Sequence, residues 1–121
     1  MEVYCNYKLS LLLKQHGFNE PCEADYFCED SNGVMIGIPK YNEYMINGHC
    51  CAPSQAQALK WLREEKQCPI EILWHYDHDS QVEEWYFRHH VQLRELPAIE
   101  YYDTYEEAEE AAIKYCLDNI I

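Results

Sequence analysis

Ile70-Glu71-Ile72-Leu73-Trp74-His75-Tyr76, the turn residues Asp77-His78-Asp79-Ser80 and the returning run Val82-Glu83-Glu84-Trp85-Tyr86-Phe87-Arg88-His89 form the stretch that decides the fold. Successive side chains of an extended chain point to opposite faces. Ile70, Ile72, Trp74 and Tyr76 therefore point one way, and Glu71, Leu73 and His75 the other. Short polar side chains such as Asp and Ser bond their own backbone and favour a reversal. Trp85 and Phe87 share a face of the return strand, and Val91 and Leu93 extend it until Pro97 ends it. The pattern is that of a hairpin, and a hairpin means an antiparallel ladder.

Helix signals lie on both sides of it. Upstream, Ser54 is an N-cap with Gln57 three residues on, a capping box for a helix over residues 55–66. Ala58, Leu59, Trp61 and Leu62 supply its buried face, and Lys66 suits its negative end. Downstream, Thr104 and Glu107 make a second capping box, with Ala108, Ala111, Ala112, Tyr115 and Cys116 as the inner stripe. Glu106, Glu107, Glu109 and Glu110 crowd the first turns, where the helix dipole favours negative charge. Near the start, Leu9, Leu12, Leu13 and His16 share one face of a helix over residues 7–16. Gly17 takes the left-handed cap position and Phe18 folds back onto the last turn.

Between the first two helices, strands over Ala24–Glu29 and Val34–Ile38 flank Asp30-Ser31-Asn32-Gly33, whose Asn-Gly pair tolerates positive φ. A short edge strand at Glu43–Ile46, ended by Asn47-Gly48, breaks what would otherwise be an overlong loop. The order helix, hairpin, helix, hairpin, helix predicts a single α+β domain over residues 1–121: an antiparallel sheet of four to five strands with three helices packed on it.

Twenty-two Asp and Glu against nine Lys and Arg leave the 121 residues at a formal net charge of −13. Counterion release on duplex phosphates needs clustered cations, so direct nucleic acid binding is excluded, and an anionic membrane surface repels the chain. Apolar residues make up 48% of it, which disfavours disorder. Eleven tyrosines suit half-buried strand positions, with the ring packed and the hydroxyl wet. No apolar run is long enough for a signal peptide or a membrane span, so the expectation is a cytoplasmic protein. In that compartment the seven cysteines, Cys5, Cys22, Cys28, Cys50, Cys51, Cys68 and Cys116, are mostly small buried hydrophobes.

Three segments carry a resemblance: Gly17-Phe18-Asn19-Glu20-Pro21-Cys22; Ala52-Pro53-Ser54 leading into Gln57-Ala58-Leu59-Lys60-Trp61-Leu62-Arg63-Glu64; and Thr104-Tyr105-Glu106-Glu107-Ala108-Glu109-Glu110-Ala111 followed by Ile113-Lys114-Tyr115. Together they resemble a group of small uncharacterised proteins of Bacteroides-type gut bacteria, encoded in phage-like and other mobile regions. The resemblance implies an accessory role and transfers no functional residue.

The densest set of metal-ligand types is His75-Tyr76-Asp77-His78-Asp79. If the strand ran on through the turn, His75, Asp77 and Asp79 would line one face and could hold Zn²⁺ with an open position for water. The alternative is a polar hairpin turn. In His49-Cys50-Cys51 the adjacent cysteines lack zinc-module spacing, and Cys22 and Cys28 fit it poorly. A nucleophilic pair could join Cys50 or Cys51 to His75 or His89, but a reactive thiolate needs positive surroundings, which this acidic chain opposes. His89-His90 reads as a strand end. None of the four glycines builds a phosphate loop. Glu83-Glu84 and Glu109-Glu110 read as solvated pairs.

Acidity could itself be a function, if the protein mimicked DNA to inhibit a host defence protein. A globule of this size is roughly 35 Å across, and duplex DNA of that length carries about twenty phosphates. The carboxylates, however, fall in every element and alternate with Lys60, Arg63 and Lys66. The leading expectation is therefore a non-enzymatic accessory or interaction protein with no cofactor and an unidentified protein partner, or a homodimer joined through an edge strand. The stretch Tyr41–Ile46 is its candidate contact surface. A small metal-dependent hydrolase at His75, Asp77 and Asp79 is the second reading, and the DNA mimic the third.

Overall fold

The computed structural model describes residues 3–26, 34–46, 48–89 and 100–120. They fall into two compact units, Met1–Ala58 and Leu59–Ile121, with the boundary inside one helix. The element order is α1 (Tyr7–Gln15), β1 (Cys22–Tyr26), β2 (Met35–Lys40), a single 3-10 turn (Asn42–Tyr44), β3 (Cys50–Cys51), α2 (Gln55–Glu65), β4 (Ile70–Asp77), β5 (Val82–His89) and α3 (Tyr105–Asn119).

In the first unit α1 is capped at both ends. Asn6, a cap not foreseen from the sequence, accepts a hydrogen bond from the Leu9 N–H at 2.8 Å. At the other end Gly17 has φ 93°, the Gly17 N–H donates to the Lys14 carbonyl and the Phe18 N–H to the Leu13 carbonyl. This paired return is the Schellman arrangement, and it leaves Phe18 buried against the last turn. Leu9 and Leu13 are buried as their spacing predicts. Ser10 is buried too, because its hydroxyl donates to the Cys5 carbonyl at 3.2 Å.

The sheet of this unit has the order β2-β1-β3 and is antiparallel throughout. Ala24, Tyr26, Cys50 and Ala52 form its core, with Tyr4, Tyr7, Leu11 and Val34 packed around them. The Tyr26 hydroxyl reaches inward to the Cys5 carbonyl at 2.8 Å, and its ring meets Tyr7 edge-on at 5.8 Å. The third strand is not the expected Glu43–Ile46. The Tyr44 and Met45 N–H groups bond back to the Tyr41 and Asn42 carbonyls, which curls that segment into the 3-10 turn. The ladder is completed instead by the two small buried residues of β3. The expected Asn32-Gly33 turn and the extension through Val91 and Leu93 lie outside the described residues.

In the second unit β4 and β5 pair without a break from Ile70↔His89 to Asp77↔Val82. The turn closes through the Gln81 N–H on the Asp77 carbonyl at 2.7 Å. Within it the Asp79 N–H donates to Asp77 Oδ1 at 3.0 Å, the local bond that favours Asp in turns. Trp85 and Phe87 lie on the face toward α3, their rings 5.4 Å and 5.7 Å from those of Tyr105 and Tyr115. Along the outer side of β5, Trp85 and Tyr102 exchange both backbone hydrogen bonds. Ala108, Ala112, Ile113, Cys116 and Leu117 are the buried stripe of α3. Cys116 is joined in a disulfide to Cys68, so these two are not the free apolar thiols expected.

The α+β class and the element order therefore stand, but the single sheet of four to five strands does not: there are two antiparallel sheets, one of three strands and one of two. Alternation and turn chemistry are local signals and specify each hairpin. Which strands share a ladder is decided by cover. Strand β1 is flanked by β2 and β3, whereas the β4–β5 pair is covered by α3.

Both predicted capping positions are used, with Ser54 Oγ accepting from the Gln57 N–H and Thr104 Oγ1 from the Glu107 N–H, each at 3.1 Å. Thr104→Ala is expected to cost about 1 kcal/mol in chemical denaturation. Glu109, expected in a solvated pair, is buried. Burial holds its carboxyl above the usual range, opposed in part by the Tyr105 hydroxyl that hydrogen-bonds it. A carboxyl raised in the folded state contributes stability below its unfolded pKa and loses it as pH rises through the folded value. Glu109→Gln should therefore be more stable than the parent at about pH 7 and indistinguishable from it near about pH 3. A less stable variant at neutral pH would contradict this assignment.

Candidate interaction surface

Strand β2 reads Met35-Ile36-Gly37-Ile38-Pro39-Lys40, and its apolar side chains are in water: Met35 is 52% exposed, Ile36 60% and Ile38 80%. Among the described residues it pairs only with β1, so its other edge carries unpaired backbone groups. Pro39 cannot donate to a ladder, which limits a further strand to the Met35–Ile38 part of the edge.

The adjoining segment adds Tyr44 at 78% exposure and Ile46 at 68%. Its tyrosines Tyr41 and Tyr44 meet edge-on at 6.2 Å. The Glu43 carboxylate beside it pushes the Tyr44 phenol above its ordinary pKa. These side chains face outward because the backbone behind them is held from within. Asn42 is buried; its Nδ2 donates to the Phe18 carbonyl at 2.7 Å and its Oδ1 accepts from the Cys51 N–H at 2.8 Å. The Lys14 ammonium gathers the His49, Ile46 and Met45 carbonyls at 2.7, 3.4 and 3.5 Å. The Tyr7 hydroxyl reaches the Gly48 carbonyl at 3.1 Å, and Asn19 Oδ1 accepts from the Glu43 N–H at 3.0 Å. Lys40, at the end of β2, is paired with the buried Asp25 carboxylate at 2.9 Å.

The other residues singled out from the sequence are placed as follows. His75 lies on β4, its ring 4.9 Å from that of Tyr101, while Asp77 ends the strand and Asp79 sits in the turn. The Asp77 carboxyl is held below its usual range, first by the Asp79 N–H and then by the Ser80 hydroxyl. Its lone pairs thus serve the turn. Among the described residues no three His, Cys, Asp or Glu side chains are grouped so as to hold a metal ion. Cys50 and Cys51 are buried in β3, in the first unit, and His75 belongs to the second. The described part of His89 is its ladder position opposite Ile70, and Cys28 and His90 fall outside the described residues.

One coupling was not foreseen: the interaction between the Cys22 and Cys51 side chains is the first cause holding Cys22 above the ordinary thiol range and Cys51 below it. Burial and the Asp25 carboxylate oppose that lowering of Cys51, and the Lys40 and Lys14 charges add to it. The Cys22 thiol donates to the Glu20 carbonyl at 3.5 Å and to Gln57 Oε1 at 3.8 Å, and the Cys51 thiol to the Lys40 carbonyl at 3.3 Å. No spacing rule couples Cys22 to Cys51, and the β1–β3 ladder sets Cys51 opposite Asp25.

No family model, no curated protein and no solved structure matches the chain. No helix among the described residues is long and apolar enough to cross a membrane.

The pinning of the segment behind Tyr44 is itself testable. Asn42→Ala leaves the Phe18 carbonyl and the Cys51 N–H without their partner, so it should cost about 3 kcal/mol. It should also speed amide hydrogen exchange at Cys51 beyond that at Leu9. Unchanged exchange at Cys51 would refute the bridging role.

Proposed function

We propose that this protein is a non-enzymatic interaction protein, and that the open edge of β2 with the adjoining Tyr41–Ile46 segment is its contact surface, joining two copies of the chain by antiparallel pairing of their β2 strands. The observation that carries the reading is the exposure of Met35, Ile36 and Ile38 along a strand with an open edge. Soluble proteins normally blunt such edges with charge or cover. Here Lys40, the one charged residue of β2, is turned to Asp25.

A two-fold antiparallel pair is self-complementary, since each residue contacts in the partner what the partner's copy contacts in it. Ladder hydrogen bonds would satisfy the edge, and Ile36 and Ile38 would bury each other's side chains across the seam. Tyr44 and Ile46 follow β2 in the chain on backbone held by Asn42 and Lys14 and add exposed apolar surface, and Tyr is well suited to a contact that is apolar at the ring and wet at the hydroxyl. An accessory role of this kind is also what the resemblance to small mobile-element proteins implies.

Two copies at −13 each repel one another. Dimerisation should therefore strengthen with salt, as screening shortens the range of that repulsion. Sedimentation across a concentration series is expected to show a monomer–dimer equilibrium that shifts toward dimer as salt rises. Ile38→Lys, which places a charge in the middle of the seam, should remove the dimer at every salt concentration without lowering the melting temperature. A wild-type protein that stays monomeric at high salt and high concentration, or an Ile38→Lys variant that dimerises as before, would overturn the proposal.

A further inference from the structure

Outside the β2 contact surface, the most exposed large apolar side chain among the described residues is Trp74, at 54%. It lies on β4, directly opposite Trp85 in the ladder. Opposed residues of an antiparallel pair share a face of the sheet. On that face the rings of Trp85 and Phe87 are met by Tyr105 and Tyr115 of α3. Helix α3 packs chiefly on β5, and Trp74 on β4 is left in water.

The ring is nevertheless held in place. Tyr76, two residues on and so on the same face, stacks against it at 6.1 Å with 29° between the planes. His78 meets Tyr76 edge-on at 4.9 Å. Rings already ordered by one another lose little freedom when a ligand arrives. Glu83 stands across the ladder from Tyr76, which makes it the diagonal neighbour of Trp74. Diagonal neighbours lie about 7–8 Å apart, within reach of long side chains. Glu83 is exposed and takes part in none of the ion pairs among the described residues.

Charge selects the ligand for such a surface. From Gln67 to Phe87 the acids are Glu71, Asp77, Asp79, Glu83 and Glu84, and there is no Lys or Arg. Arg88, the next cation, is held by Glu71 at 3.0 Å. The chain as a whole, at −13, attracts cations and repels anions. The face of an indole is the best aromatic acceptor for a cation, because its ring quadrupole is negative there. The protein makes one such contact within itself, with Lys66 Nζ 5.4 Å from the centre of the Trp61 ring. Among the described residues no cation lies over Trp74.

We infer that Trp74, with Tyr76 and Glu83, is a docking site for an arginine side chain on a basic peptide segment of a partner protein. A guanidinium is flat, weakly hydrated and carries its donors around its edge. It lays its plane on the exposed indole while an edge N–H donates to the Glu83 carboxylate, a charge-assisted bond. An ammonium is a strongly hydrated point charge and gains less from the ring. The site belongs to the second unit and the β2 seam to the first.

The test titrates the isotope-labelled full-length protein with a short end-blocked peptide of alternating glycine and arginine, and follows the indole N–H of Trp74 and the amides of Tyr76 and Glu83 by NMR. The expected result is a saturable shift at all three that weakens as salt rises. The same peptide with citrulline, the neutral isostere of arginine, should leave them in place. Read at the Tyr76 amide, Trp74→Ala should weaken binding about two- to fivefold, and Glu83→Gln should weaken it as well. Glu23→Gln, the same charge change at an exposed position of β1, should leave the affinity unchanged. The citrulline and Glu83→Gln arms do not depend on Trp74→Ala folding. An equal response to the citrulline peptide, wild-type affinity in Trp74→Ala, equal losses in Glu83→Gln and Glu23→Gln, or no shift up to the solubility limit of the arginine peptide would each overturn the inference. So would a Trp74 indole that shifts with cellopentaose and not with arginine. The readout is peptide binding and not self-association, so the inference can fail independently of the proposed dimer.

Discussion

The first unit depends on one amide. Asn42 donates to the carbonyl that follows the end of α1 and accepts from the N–H of β3, and it does so while buried. An amide side chain can satisfy a carbonyl and an N–H at once because it carries both complementary groups. Without it, two polar backbone groups would be stranded away from water, an expense greater than the bonds themselves return. With it, the chain between β2 and β3 needs no ladder of its own. Its apolar side chains can face outward on a backbone that is held from beneath. The exposed surface thus follows from a buried hydrogen bond.

Charge is used in two different ways. The surface excess of carboxylate keeps other anions away and resists association. Inside the first unit, two of the few cations are spent on the protein itself. Lys14 collects carbonyls from the loop that follows the 3-10 turn, and Lys40 neutralises Asp25. The same two cations lower the pKa of Cys51. A net charge says little about the potential at one sulphur atom, because screening and distance make local neighbours dominate.

Much of the local structure was legible. The Ser54 and Thr104 caps, the Gly17-Phe18 return and the start of β5 are signals written within a few residues, and each is found where those residues place it. The exposure of Tyr41, Tyr44 and Ile46 agrees with the reading of that stretch as one with exposed apolar groups. Glu43–Ile46 was misread as a strand because propensity cannot register the Asn42 side chain reaching Phe18 and Cys51. His75, Asp77 and Asp79 share a short stretch, but the Asp77 carboxylate is occupied by its own turn.

The sequence by itself determined which segments are helical, where they start and stop, and that two hairpin-type signals occur in an acidic chain. Those outcomes depend on neighbours within a turn or two, where capping, alternation and backbone preference act. Only the tertiary structure decided that the strands divide into two sheets, that two cysteines of β3 complete the first of them, and that Cys68 meets Cys116. Each of these joins residues far apart in the chain, and long-range pairing is selected by which surfaces can be covered together, a choice no local pattern encodes.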